Sequence, residues 1–352
     1  MSNPQLAERS SAFAGGQALT CDQWLPLLVP YLAEALVSGE SLGRIERLAR
    51  RLPGGSLGAI EVRLGAGSDQ VDLAFRLTNA EQARQFADRV EPTYLRNYLH
   101  LWADSPDHRV PFLWVEFDLD DEPDGPLHPF FASKLNGHEV DAAWLTGDLL
   151  PAMAGEPLPG HQVELIQRSY SALPPQGSIT YVANLKARDQ TAVRMDYFGL
   201  RPELMQRHLR TMGCPDLAEH IAGPSQLLES AERFHFSHDI DDEILPRIGM
   251  EASFGSWPSA QQPDWRQLFD TLVEAGLCTP EKRDAALAWN GYDSHATVRT
   301  VWPEAAEQEG FMVRFLSHIK LVCHPGQEPV AKTYLMFGQH TRDAEGRMTL
   351  TS

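Results

Sequence analysis

Two acidic stretches of nearly the same sequence could supply ligands for a metal ion. They are FDLDDEP (117 to 123) and HDIDDEI (238 to 244), and the first continues to Asp124, which gives a DDxxD pattern. A DDxxD motif can hold Mg²⁺ and a diphosphate when a helix aligns its first and last carboxylates. Here Pro123 and Gly125 interrupt the motif directly after a β-strand pattern, so this helical geometry is not expected. We therefore interpret both stretches as solvated loops.

Charged and aromatic side chains alternate with apolar ones along several other segments. Successive side chains of a strand point to opposite faces, so this alternation separates an apolar face from a polar one. The acids of the polar face are Glu61, Asp72, Glu116, Asp118, Asp196, Asp239 and Glu251. Its bases are Arg63, Arg76, Arg194, Arg314, Lys320 and Lys332. Trp114 and Tyr334 lie among these charges, as aromatic residues do in binding cavities.

β-Hairpins alternate with helices along the chain, and this alternation must position the polar faces. Hairpins are predicted at 60–77, 177–198, 233–254 and 311–337. Helices are predicted at 22–52, 80–103, 202–211, 215–231, 263–276 and 280–289. A strand at 111–119 has a poorly marked partner near 161–170, which would give five hairpins and ten strands.

The composition limits the classes of partner and compartment. A net charge of −18 argues against nucleic-acid and anionic-membrane partners, because phosphate binding needs clustered lysine and arginine. No window of 18 apolar residues predicts a membrane span, and no signal pattern precedes the fold, so we expect a cytoplasmic protein. Residues 1–17 are predicted to be a disordered leader, and residues 18–345 a single domain. The cysteines are widely spaced and predict reduced thiols: Cys21, Cys214, Cys278 and Cys323.

The repeated hairpin-and-helix pattern predicts an α+β fold of α-β-β-α units. We expect about ten antiparallel strands to close into a β-barrel surrounded by helices, because closure removes exposed sheet edges. The polar faces would then line a lumen wide enough for a ligand. The alternative is an open antiparallel sheet with helices on its apolar face and water on the other.

Two local motifs resemble those of a known family. HIKLVC (318 to 323) and AKTYL (331 to 335) are similar to the K-x-Y-type strands with which indole prenyltransferases hold diphosphate. Over about residues 55–340 the chain resembles the aromatic prenyltransferases of the ABBA or PT-barrel family. The run that starts at Arg194 departs from the family's R-x-K-x-Y pattern, because Asp196 replaces the expected cation.

The resemblance implies a reaction and a set of residue roles. The chain would transfer an allylic prenyl group from a diphosphate to an aromatic small molecule or peptide in natural-product biosynthesis. Glu61 would be the catalytic base, Tyr334 would shield the carbocation, and Trp114 would contact substrate. The implied diphosphate ligands are Arg76, Arg194, Lys320 and Lys332. The family does not strictly require a metal, so we expect no cofactor, with Mg²⁺ permitted but not required.

Two other functions stay open. The mixture of acids and bases, together with Asp196, favours a non-catalytic barrel that binds a peptide or small molecule as a biosynthetic accessory. A metal-dependent enzyme would instead require carboxylates of the two acidic stretches to converge. The histidines of HFSHD, His235 and His238, point to opposite faces of a strand and therefore cannot both bind one metal ion.

Overall fold

The computed structural model describes residues 19–55, 57–119, 127–137, 139–188, 190–255, 263–298, 302, 310–342 and 348–350. The strands are β1 (Leu57–Arg63), β2 (Val71–Leu77), β3 (Leu113–Asp118), β4 (Phe130–Lys134), β5 (Ser178–Asn184), β6 (Val193–Phe198), β7 (Arg233–Ile240), β8 (Ile244–Ser253), β9 (Gly291–Ser294), β10 (Phe311–Cys323), β11 (Val330–Arg342) and β12 (Met348–Leu350). The α-helices are α1 (Cys21–Leu28), α2 (Gly39–Ala49), α3 (Ala80–Ala87), α4 (Thr93–Asp104), α5 (Ala142–Trp144), α6 (Leu150–Ala154), α7 (Gly160–Ser171), α8 (Pro202–Thr211), α9 (Pro215–His220), α10 (Ala222–Gln226), α11 (Pro263–Glu274) and α12 (Pro280–Ala288).

Ten of these strands form a closed antiparallel barrel. Strands β1 to β8 pair in chain order, and β8 pairs with β10. The ring closes because β11 pairs with β10 on one side and with β1 on the other. The short strands β9 and β12 extend the sheet from β10 and β11. The predicted closed barrel with surrounding helices is confirmed.

The apolar face of the barrel packs against the helices and forms the core. Ile60, Leu73 and Phe75 are fully or almost fully buried on this outer face. Phe75 makes an edge-to-face contact with Phe86 of α3, with ring centroids 5.3 Å apart. The opposite face of each strand points into the lumen, so the alternation in the sequence decides which residues can reach a ligand.

Some predicted elements are wrong. The partner of β3 is β4, and the segment near 161–170 belongs to the helix α7. The segment 22–52 is divided between α1, a short 3₁₀ turn and α2, which begins after Ser38 caps it through the Ser41 amide. The segment 80–103 is divided between α3 and α4, because Pro92 precedes the second helix. The leader 1–17 and the loop 120–124 lie outside the described residues. No described helix has the length and apolar character needed to cross a bilayer.

A buried polar cluster joins the helical layer to the outer face of the barrel. His238 Nε2 lies 3.0 Å from the Tyr197 hydroxyl and 3.2 Å from the Ser169 hydroxyl. The Ser169 hydroxyl also lies 3.4 Å from His208 Nε2. Burial, with a smaller effect of His208, lowers the pKa of His238 to about 3. Burial also lowers the pKa of His208. Both rings are therefore neutral in the folded protein at neutral pH.

These histidines predict a loss of stability in acid. The unfolded chain binds protons at its histidines below pH of about 6.5, whereas folded His238 resists protonation until about pH 3. The free energy of unfolding should therefore fall by about 2–3 kcal/mol from pH 6.5 to 4 through His238. We expect His238→Gln to flatten this dependence in urea titrations and His108→Gln, at an exposed histidine, to leave it unchanged. An equal slope in wild type and His238→Gln would contradict the prediction.

Candidate active site in the barrel lumen

The inward side chains enclose a cavity of about 280 Å³, called the lumen cavity below. Its aromatic lining residues are Trp114, Phe130, Tyr181 and Tyr334. Its charged or titratable lining residues are Glu61, Glu116, Arg188, Arg194, Asp196, His235, Arg247, Glu251, His318, Lys320 and Lys332. A concave site with aromatic walls and convergent polar groups is typical of small-molecule binding.

The structure brings together all but one of the site residues predicted from the sequence. Those that line the lumen cavity are Glu61, Trp114, Arg194, Lys320, Lys332 and Tyr334. Arg76 does not belong to this lining. Its guanidinium lies 4.7 Å from the centroid of the Phe112 ring, and it is buried beside His340. A phosphate bound by Arg76, as predicted, would therefore lie outside the lumen cavity.

Glu61 is held by two neighbouring side chains of β11. Lys332 Nζ and the Tyr334 hydroxyl both donate to its carboxylate. Burial opposes ionisation of Glu61, but Lys332 and then Lys320 outweigh it and hold the pKa well below its usual range. Burial and the nearby carboxylates of Glu61 and Glu116 raise the pKa of Asp72 to about 9. At neutral pH Glu61 is therefore charged and Asp72 is protonated.

Three arginines converge at one part of the lumen cavity, and we call Arg188, Arg194 and Arg247 the guanidinium cluster. Arg188 follows β5 in a short turn, whereas Arg194 lies on β6 and Arg247 on β8. The Arg188 and Arg194 guanidiniums lie 4.5 Å and 5.5 Å from the Phe130 ring centroid. Such a cluster of cations beside an aromatic ring is suited to an anionic ligand.

The members of the guanidinium cluster differ in how well carboxylates compensate them. Arg188 donates to Glu116 at 2.9 Å and to Asp118 at 2.7 and 2.9 Å.

Arg247 has the weakest carboxylate contact of the three arginines. For comparison, Arg194 donates two hydrogen bonds to Asp239 at 2.7 and 2.9 Å. Arg247 Nη1 lies 3.8 Å from the same carboxylate, and this buried nitrogen has no hydrogen-bond partner among the described residues. Burial and the repulsion of Arg194 lower the pKa of Arg247 to about 10, so it stays charged at neutral pH.

Another part of the lumen cavity carries Asp196, His235, Glu251 and His318, called the imidazole–carboxylate cluster. His235 Nδ1 lies 2.9 Å from Asp196 Oδ1. His318 Nε2 lies 3.6 Å from Glu251 Oε2, while Lys320 Nζ donates to Glu251 Oε1 at 2.7 Å. Burial disfavours a charged His235, but Asp196 and then Glu251 raise its pKa. This cluster combines two carboxylates with two imidazoles within one side of the lumen.

Comparison with proteins of known structure identifies the fold. No protein-family model matches the chain, and no curated protein does. A structure of 6-dimethylallyl tryptophan synthase is 13% identical with a TM-score of 0.50, and the match covers 91% of this chain and 96% of that one. The chain has the PT-barrel fold. A second structure is that of 6-dimethylallyltryptophan synthase from Micromonospora olivasterospora in complex with DMASPP and Trp. It is 13% identical with a TM-score of 0.48, and the match covers 91% of this chain and 97% of that one. The prenyltransferase PriB in its apo form is 14% identical with a TM-score of 0.48, over 91% and 96%.

Sequence patterns missed several residues of the lumen. Arg188 lies in a turn, where alternation carries no information about facing. Within the hairpin predicted at 233–254, Arg247 was not assigned to either face, whereas β8 begins at Ile244 and includes it. Extending the alternation of Glu251 back along β8 by two pairs of residues would have placed Arg247 on the lumen face. Phe130 was missed because β4 was not predicted.

Proposed function

We propose that this protein transfers an allylic prenyl group from a diphosphate to an aromatic acceptor inside its barrel. The observation that carries the proposal is the guanidinium cluster, whose Arg247 has a buried nitrogen without a hydrogen-bond partner among the described residues. A guanidinium with a buried, unbonded nitrogen and a carboxylate that it shares with Arg194 is unfavourable in the empty protein, and a diphosphate would supply additional negative charge. The PT-barrel fold, shared with 6-dimethylallyl tryptophan synthase, agrees with this assignment.

The lumen residues can be placed in a balanced reaction. The allylic C–O bond breaks, and its electron pair leaves with the pyrophosphate, which the guanidinium cluster and the two lysines stabilise. Tyr334 and Trp114 shield the allylic cation through their ring faces. The acceptor ring attacks this cation, forms the new C–C bond and then loses a proton to Glu61. The positive charges of the chain itself perform the ionisation in this scheme.

Donor binding would also activate the base. In the empty barrel Lys332 holds Glu61 in its charged form, and its pKa is too low for an effective proton acceptor. A diphosphate competes with Glu61 for Lys332, and the loss of this cation raises the pKa of Glu61. Glu61 would thus become an effective base only after the donor has bound. The proton acceptor would then become effective in the same step that brings the source of the cation into the barrel.

The acceptor is proposed at a coarser level. The aromatic lining of the lumen cavity suits a flat ring, and the name of the related 6-dimethylallyl tryptophan synthase makes a dimethylallyl donor and a tryptophan acceptor the first candidates. The acceptor would be an indole or another electron-rich aromatic ring, free or within a peptide.

A non-catalytic binding barrel is the second candidate, and a specific observation favours it. Most charges of the lumen are already matched, as in the contacts of Glu61 with Lys332, Arg194 with Asp239 and Lys320 with Glu251. Such a network can be a stable lining for a ligand that is never transformed. It predicts binding of a small molecule or peptide without any response to allylic diphosphates.

Thermal unfolding in the presence of allylic diphosphates separates these two functions. We expect dimethylallyl or geranyl diphosphate to raise the melting temperature even with a chelator present. At a donor concentration of 100 times Kd, the free energy of unfolding should increase by about 2.7 kcal/mol. Lys332→Ala should remove this shift, because Lys332 lies in the lumen lining. Lys186→Ala is the matched control, since Lys186 pairs with Glu156 away from the lumen cavity.

The same samples test catalysis directly. Incubation with dimethylallyl diphosphate and a panel of indoles, phenols and aromatic peptides should yield a product heavier by one prenyl group in mass spectrometry. A flat thermal response of wild type to every diphosphate would contradict prenyl transfer and leave the binding barrel. A thermal shift without product would support donor binding and contradict prenyl transfer to the acceptors of the panel.

A further inference from the structure

Four neighbouring strands of the barrel each direct one donor side chain at the same part of the lumen. Asp196 lies on β6, His235 on β7, Glu251 on β8 and His318 on β10, and these strands are consecutive in the sheet. His235 and Glu251 are directly opposite each other in the β7–β8 ladder. Paired strands hold their side chains more rigidly than loops do, so this arrangement is fixed by the fold.

The distances between the donor atoms suit a coordinated ion. One ligand atom each from Asp196, His235 and Glu251 lies within 4.8 Å of the other two. His235 Nδ1 is 2.9 Å from Asp196 Oδ1, and His318 Nε2 is 3.6 Å from Glu251 Oε2. Ligand atoms that each lie 2.0–2.2 Å from zinc are themselves about 3–3.5 Å apart. Asp196, His235 and Glu251 can therefore share one ion after small side-chain adjustments, and His318 lies beside Glu251 as the fourth donor.

Contacts with neighbouring groups leave His318 Nε2 and Glu251 Oε2 available for a metal ion. The Ser317 hydroxyl lies 2.9 Å from His318 Nδ1, while the buried Nε2 has no hydrogen-bond partner among the described residues. Histidines that bind metals usually bond a neighbour through the second ring nitrogen. Lys320 occupies Oε1 of Glu251 and leaves Oε2 facing His318.

A neighbouring hydroxyl group also orients the carboxylate of Asp196. Asp196 accepts a hydrogen bond from the Thr180 hydroxyl at 2.9 Å, which orients its carboxylate beside His235. Lys320 contacts the carboxylate of Glu251, whereas the carboxylate of Asp196 contacts His235. A divalent cation can therefore be added without a large excess of positive charge.

We propose that Asp196, His235, Glu251 and His318 form a binding site for one divalent transition-metal ion of the zinc type. Two imidazoles and two carboxylates favour zinc, cobalt or a similar ion over magnesium and calcium, which prefer oxygen ligands alone. The site lies in the lining of the lumen cavity, so a bound ion would face any ligand there. His238 takes no part, since it lies in the polar cluster outside the barrel. The site does not depend on the proposed prenyl transfer.

Metal titration of the full-length, chelator-treated protein tests the site. We expect isothermal titration with Zn²⁺ to show one tight site per chain and Co²⁺ to give visible ligand-field absorption. His235→Ala and Glu251→Gln should each weaken zinc binding by more than about 100-fold, because changes merely around a metal site cost 10–100-fold. His108→Ala is the matched control, at an exposed histidine 3.7 Å from Asp107 and 3.4 Å from Glu139.

The outcomes either support or overturn the site. Loss of binding in His235→Ala with normal circular dichroism, and full binding in His108→Ala, supports it. Equal stoichiometry and affinity in wild type and His235→Ala, or no binding of either ion by wild type, overturns it. If His235→Ala does not fold, His318→Ala provides the same comparison from β10. No diphosphate is present in this experiment, so its result and that of the prenyl-transfer assay are independent.

Discussion

Replacing Glu61 by glutamine should lower prenyl-transfer turnover by about 10²–10⁴-fold, the usual contribution of a general base. Glutamine keeps the size of the side chain but cannot accept the proton that the acceptor ring loses. The change also removes the carboxylate that holds Lys332 in the empty barrel. Lys332 is then free to contact a diphosphate, so donor affinity should stay the same or increase. The measurement is single-turnover product formation together with the thermal shift caused by the donor.

Asp72→Asn is the matched control for this prediction. Asp72 pairs with Glu61 in the β1–β2 ladder, and its raised pKa, about 9, keeps it protonated at neutral pH. Asparagine replaces one neutral side chain by another, so the loss of turnover should be much smaller than in Glu61→Gln. A loss of equal size would instead indicate that Asp72 handles the transferred proton. Loss of donor binding in Glu61→Gln would contradict the role assigned to Lys332.

The barrel could be predicted because the alternation that defines its strands is contained in short stretches of the sequence. Residues 60–77 alternate apolar and polar side chains around a glycine-rich turn, and β1 and β2 follow that pattern closely. Where alternation is strong, the same pattern also tells which side chains face the lumen. Glu61, Lys320, Lys332 and Tyr334 were therefore placed together correctly.

The rest of the site depends on information that alternation does not contain. Strand β4 has only the residues Phe130–Lys134, so its short pattern was too weak to separate from its surroundings. The segment that forms the helix α7 was mistaken for the partner strand of β3, because only tertiary packing shows which face of that segment is buried. From the turn after β5, Arg188 reaches Glu116 and Asp118 of β3, past the intervening strand β4. Contacts of this kind depend on the order of the strands in the sheet, which no single stretch of sequence encodes.

Arg247 gives the prediction with opposite effects on stability and activity. Arg247→Met should raise the free energy of unfolding of the empty protein by about 1–3 kcal/mol, because it removes a buried charge that lacks a hydrogen-bonded partner. Asp239 remains satisfied by Arg194. The same change should lower prenyl transfer by about 10²-fold or more, since one cation at the leaving pyrophosphate is lost. Urea titration and single-turnover kinetics measure the two effects.

Arg314→Met is the matched control, because Arg314 is a buried arginine that has a partner. It contacts the buried Asp293 carboxylate, and its guanidinium lies 3.3 Å from the Tyr31 ring centroid. Removing this guanidinium leaves Asp293 uncompensated and should cost about 3–5 kcal/mol. If Arg247→Met destabilised the protein as Arg314→Met does, Arg247 would be a structural residue and the diphosphate site would lose its main support. Stabilisation without loss of transfer would contradict the site equally, because the poorly compensated charge of Arg247 would then serve no ligand.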